Sequence, residues 1–131
     1  MFGGLGWSTT GGGGGGGGVV PHALETVTAK TADYVLLAAD IQTFFTNEGA
    51  GIPITFTLPA PVIGARYKFI VQNANGITVQ ATGGAVITDG NASSAANGIA
   101  NTLNVGATLD LLAINLTTWV AVNPEFDWSL T

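Results

Sequence analysis

Few side chains in this 131-residue chain could carry chemistry. His22 is the single histidine. It follows Pro21 beside a glycine run, and no nucleophile elbow accompanies it, so a Ser-His-Asp arrangement is not favoured. One imidazole is also too little for a metal site, and cysteine is absent, which excludes thiolate ligands and disulfides. Residues 11–18 are eight consecutive glycines, followed by Val19, Val20 and Pro21. A phosphate loop needs a lysine and a Ser or Thr directly after its glycines, so nucleotide binding is not expected. Paired carboxylates can hydrolyse glycosides. However, Asp33, Asp40, Asp89 and Asp127 lie beside turns or strand ends, where Asp caps local backbone. No dense Asp/Asn calcium loop occurs. The expectation is a protein with no catalytic residue, no metal and no cofactor, and hence not an enzyme.

Composition points the same way. Charged residues make up 8% and hydrophobic residues 47%, against about 25% charged in ordinary soluble domains. The apolar stretches are broken by Pro53, Pro59, Pro61 and Gly64, whereas a membrane-spanning helix needs about 20 apolar residues; no membrane association and no secretory signal are expected. Net charge is −5, and the only cations are Lys30, Arg66 and Lys68. Tight phosphate binding draws on several Lys or Arg contacts, so no nucleic-acid partner is expected. A greasy, nearly uncharged surface is best explained by neighbouring chains that cover it, as in an obligate oligomer or a lattice.

Residues 1–18 differ from the rest and read as a glycine-rich docking arm, with residues 19–131 as the folded domain. A glycine run has no side chains to bury and cannot fold alone. Phe2, Leu5 and Trp7 sit beyond it and would be a solubility liability if left in water. They suit a tail that docks in a groove of a neighbour. Extended, eight glycines reach at most about 26–29 Å. Phe126 and Trp128, near the other end of the chain, read as a second anchor; a sugar-binding platform is the competing use of such terminal aromatics.

The elements that must position these groups are strands. Residues 54–58 alternate Ile54, Phe56 and Leu58 with threonines, a period of two that marks one buried face. Residues 66–72 alternate Tyr67, Phe69 and Val71 with Arg66, Lys68 and Ile70; residues 77–80 alternate Ile77 and Val79 with Thr78 and Gln80. The asparagine-glycine turn at 73–76 between these two runs predicts a hairpin. Further strands are expected at 27–29, 34–38, 85–88 and 103–105, and a second hairpin from 107–114 and 118–122. The stretch 91–101 reads as a small-residue loop. Within 38–48, Asp40 as a cap and Ile41, Phe44 and Phe45 at helical spacing suggest one helical turn. Tyr34, Phe56, Tyr67, Phe69, Ile77, Val79 and Trp119 are assigned to the core or to an oligomer interface. The fold class is all-β: short, mostly antiparallel strands in a sandwich, jelly roll or interwoven β-prism.

The stretches TADYVLLAAD (31–40), ITFTLP (54–59) leading into GARYKF (64–69), ITVQATGGAVI (77–87), and VGATLDLLAI (105–114) with TTWVAV (117–122) together resemble a module of tailed-phage virion proteins, notably tail fibres and small capsid-decoration (cement) proteins. The resemblance covers about three-quarters of the chain. It implies a homotrimeric β structure without catalytic activity, located in the virion. This chain lacks a fibre's long shaft or receptor-binding tip, which favours decoration: a trimer on the major capsid protein, with Phe2, Leu5, Trp7, Phe126 and Trp128 as docking residues. The alternative is a tail-fibre or receptor-binding module that contacts host surface glycan. A third reading is a small polysaccharide-cleaving enzyme that uses a carboxylate such as Asp89.

Overall fold

The chain steps from one sheet to another at almost every strand. A computed structural model describes residues 24–122 and 128–131. One sheet holds, in spatial order, β1 (Thr26–Ala29), β3 (Thr43–Thr46), β5 (Arg66–Ile70), β9 (Thr108–Asn115), β10 (Thr118–Ala121) and β7 (Val86–Thr88). The other holds β11 (Ser129–Leu130), β8 (Ile99–Thr102), β6 (Ile77–Gln80), β4 (Ile54–Thr57) and β2 (Tyr34–Val35). The protein is therefore all-β, with two mixed sheets packed over one core.

From β1 to β6 the strands alternate between the sheets. Within each sheet successive arrivals run parallel: β1 with β3 and β3 with β5, β2 with β4 and β4 with β6. The first half is thus a flattened coil of three turns. The second half closes it. β9 runs antiparallel to β5, and β10 antiparallel to β9; β8 runs antiparallel to β6, and β11 to β8. β7 lies parallel to β10 at the sheet edge. Five of the nine pairings are parallel, which corrects the expectation of mostly antiparallel strands. The reason is local: a period of two identifies a half-buried strand but is blind to its direction.

The alternation delivers one inward side chain per pair of residues. Ile54 and Phe56 on β4, Tyr67 and Phe69 on β5, and Ile77 and Val79 on β6 are all buried. Register stacks Phe45 of β3 beside Phe69, and Tyr34 of β2 beside Phe56. Across the layers Phe56 meets Phe45 at 5.4 Å and Phe69 at 5.3 Å between ring centroids, both tilted. Trp119 packs on Tyr67 at 5.7 Å.

Three local expectations are corrected. The turn at 73–76 does not make a hairpin, because β5 and β6 belong to different sheets. Asn47, fully buried, captures that connection. Its Nδ2 donates to the carbonyls of Asn73 (3.0 Å) and Gly76 (3.1 Å), and its Oδ1 accepts from the N–H groups of Gln72 (2.7 Å) and Asn73 (2.9 Å). Gly76 has φ +85°, and a Cβ there would lie 2.5 Å from the carbonyl of Thr102, so only glycine fits. The helical turn within 38–48 is confined to a 3-10 turn, Ala38–Asp40. Gln42, at φ +64°, redirects the chain into β3, where Phe45 faces inward and Phe44 is half-buried beneath the Lys68 ammonium. Residues 103–105 are an exposed loop, and the strand lies at β8, inside the stretch read as loop. Its inward residues, Ala100 and Thr102, are too small to print an apolar alternation. The hairpin of β9 and β10, the Asp89-Gly90 turn and the strands at 54–57, 66–70, 77–80 and 86–88 match their sequence patterns.

Truncating Phe69→Ala should cost about 3–5 kcal/mol of unfolding free energy, the range for buried aromatics. Asn47→Ala should cost at least about 2 kcal/mol, because it strands buried backbone donors and acceptors. Urea unfolding of both variants beside the parent checks the two values.

Candidate docking surface

Strand directions decide which loops share an end of the sandwich. β1, β3, β5 and β10 all begin at one end; β2, β4, β6 and β9 finish there. That end therefore gathers residue 24, the connections 36–42, 58–65 and 81–85, and the β9–β10 tip. Twelve large apolar side chains are exposed among the described residues, and seven of them sit there: Leu24, Leu37, Ile41, Val62, Ile63, Ile114 and Leu116. Along the first sheet they form a row, strand by strand, from the entrance of β1 to the β9–β10 tip.

Their exposure is built into the backbone. The Asp40 carboxylate accepts from the N–H of Leu37 (2.8 Å) and from the Tyr34 hydroxyl (2.9 Å). The Tyr67 hydroxyl donates to the Leu37 carbonyl (3.0 Å). These bonds fix the connection while the Leu37 side chain stays 57% exposed. In the next connection, Ala65 N–H bonds to the Val62 carbonyl and Gly64 N–H to the Ala113 carbonyl. This lifts Val62 and Ile63 to the tip, at 67% and 66% exposed. Between the two connections lies a hollow of about 370 Å³, lined by Ala38, Ile41, Val62, Ile63 and the Tyr67 ring among others, with no charged residue in its wall.

The polar groups of the body are spoken for. Arg66 clamps Asp110 in a two-point bond (2.7 and 2.6 Å), which holds the guanidinium pKa above its usual value. Lys68 pairs with Glu25 at 2.6 Å, and Lys30 sits 3.7 Å above the Tyr34 ring. All three cations of the chain are thus engaged. Asp33 accepts from the N–H of Thr55. Asp89 accepts from the N–H groups of Ala92 and Asn91, and these bonds hold its carboxyl below the usual range. Among the described residues no three His, Cys, Asp or Glu side chains group closely enough to hold a metal. The exposed carboxylates Asp33, Glu48 and Asp89 stand at or beside the other end, together with the exposed Ile52, Leu103 and Val105.

Of the residues singled out in sequence, Phe56, Tyr67, Phe69, Ile77, Val79 and Trp119 lie in the core of the single chain, and Tyr34 packs against it half-buried. Trp128 also packs against that core, and its indole N–H donates to the Thr108 carbonyl at 2.9 Å. Its side chain is therefore engaged in the body rather than projecting as an anchor. Phe2, Leu5, Trp7 and Phe126 lie outside the described residues. The apolar end itself was missed by sequence reasoning. Val62-Ile63 and Leu116 are short apolar pairs or singles between turn residues, a pattern that resembles ordinary strand ends. Compared with known proteins, the chain matches no protein-family model and no curated protein.

The two tyrosines that brace this end give it a pH signature. The bond to Asp40, with burial and the Asp40 charge adding to it, raises the Tyr34 hydroxyl above its ordinary 10.0. Burial, helped by the same carboxylate, raises Tyr67. A raised folded pKa contributes stability that is complete below pH 10 and is lost as pH climbs through the folded values. The urea midpoint should therefore fall as pH rises above 10, and Tyr34→Phe with Tyr67→Phe should flatten that fall.

Proposed function

We propose that this chain is a non-catalytic structural subunit of a tailed-phage particle. Copies of it associate as a trimer, sit on the major capsid protein and stabilise the shell. The observation that carries the reading is the row of exposed apolar side chains from Leu24 to Leu116 at one end of the sandwich. A concentration of exposed apolar side chains of this kind, with Ile41, Val62 and Ile63 around one hollow, marks a protein contact rather than a solvated face. Elsewhere the cations are engaged, and the described carboxylates at Asp33, Asp40, Asp89 and Asp110 hold backbone or side-chain partners. The resemblance in sequence to decoration proteins supplies the setting.

The mechanism is mechanical linkage. Apolar burial contributes roughly 25 cal/mol per Å², so a single end face or a single arm binds weakly. Three copies held together engage the lattice with a high effective concentration and hold firmly without any further contact. Phe2, Leu5 and Trp7 add a second point of attachment across a subunit boundary.

Deleting residues 1–18 should leave the oligomer intact and abolish coating of particles; wild-type occupancy by the truncated protein would refute the docking arm. Val62→Asp with Ile63→Asp should lower occupancy at least tenfold, read by gel densitometry of purified particles. The same gel counts copies: hundreds per particle agree with decoration, and six or fewer would indicate a fibre component instead.

A further inference from the structure

The apolar hollow has a candidate occupant in the chain itself. We infer that in the free protein residues 2–7 of each chain seat in the hollow of their own body, covering it until a particle surface competes for them. The chain enters the described body at Leu24, directly before β1. Because β1, β3 and β5 run parallel, that entrance stands at the same end as the hollow, which opens between the entrances of β3 and β5. One to two strand spacings of about 4.8 Å separate them.

Length permits the contact. Trp7 lies 17 residues before Leu24, and eight of those between are the glycines 11–18. Such a connector spans about 56–61 Å at full extension and roughly 21–25 Å on average for a glycine-rich chain. It therefore reaches the hollow without being taut. Chemistry matches as well. Residues 1–21 contain no charged side chain, and the wall of the hollow contains none. Phe2, Leu5 and Trp7 are large apolar groups, and a volume of about 370 Å³ accommodates such side chains. Own-chain docking prevails over docking in a neighbouring copy because the tether leaves its own body one to two strand spacings from its own hollow, where the effective concentration of its end is highest. The same pairing would hide both apolar surfaces before assembly.

The chain has no cysteine, so introduced thiols report only on each other. In the full-length protein, Ser8→Cys combined with Val62→Cys should form a disulfide within one chain about tenfold faster than Ser8→Cys combined with Asn91→Cys, at the opposite end and also within tether reach. Phe2→Ser, Leu5→Ser and Trp7→Ser added together should erase that advantage. Non-reducing gels and intact mass give the readout. Equal rates for the two pairs, or bonds formed chiefly between chains at any protein concentration, would overturn the inference. No particle takes part in the measurement, so its outcome is separate from whether the protein coats capsids.

Discussion

The contact between the sheets, through Phe45, Phe56 and Phe69, is what the remainder of the molecule depends on. These rings come from three successive strands, two in one sheet and one in the other, and they meet at 5.3 to 6.2 Å. The contact forms only if the chain crosses between layers after each strand. A hairpin at any of those steps would keep the next ring in the same layer. The coil of β1 to β6 is therefore the topology that lets four-residue strands share one core, and every crossing is forced to the ends of the sandwich.

That constraint separates two kinds of residue. Inside the strands, alternation is dictated by the pleat, and the outward positions carry threonines, the Arg66–Asp110 clamp and the Lys68–Glu25 pair. At the ends, the crossings are held by polar pins: Asn47 at one end, and Asp40 with Tyr34 and Tyr67 at the other. With the backbone secured in this way, Leu36 and Leu58 turn into the core while the exposed side chains of the same crossings are released from that duty. At the Asn47 end the exposed ones are mixed, with Asp33, Glu48 and Asp89 beside Ile52, Leu103 and Val105. At the other they are Leu37, Ile41, Val62 and Ile63, which the fold does not require to be apolar. Residues that the fold does not need, exposed at a cost in solubility, are the physical basis for assigning that end to a partner.

Much of the core was legible in sequence because period-two alternation survives in short strands: Tyr67, Phe69 and Val71 could be placed inward from their spacing alone. The path of the chain was not. Asn75-Gly76 has the composition of a hairpin turn, and only the distant Asn47, 26 residues before Asn73, diverts it across the core. β8 was hidden for the opposite reason, since Ala100 and Thr102 bury small side chains in a stretch that looks like a polar loop. The docking surface was illegible because it is assembled from loops that only the parallel register brings together. Composition foretold that apolar surface would need covering but could not locate it.

The central claim is that copies of this chain associate as a trimer, so that their apolar ends and arms meet a partner surface together. Sedimentation equilibrium of the full-length protein across the micromolar range tests it most directly. The account predicts a mass three times that of one chain, stable to dilution. A monodisperse single-chain mass at every concentration, with the protein fully soluble, would contradict it.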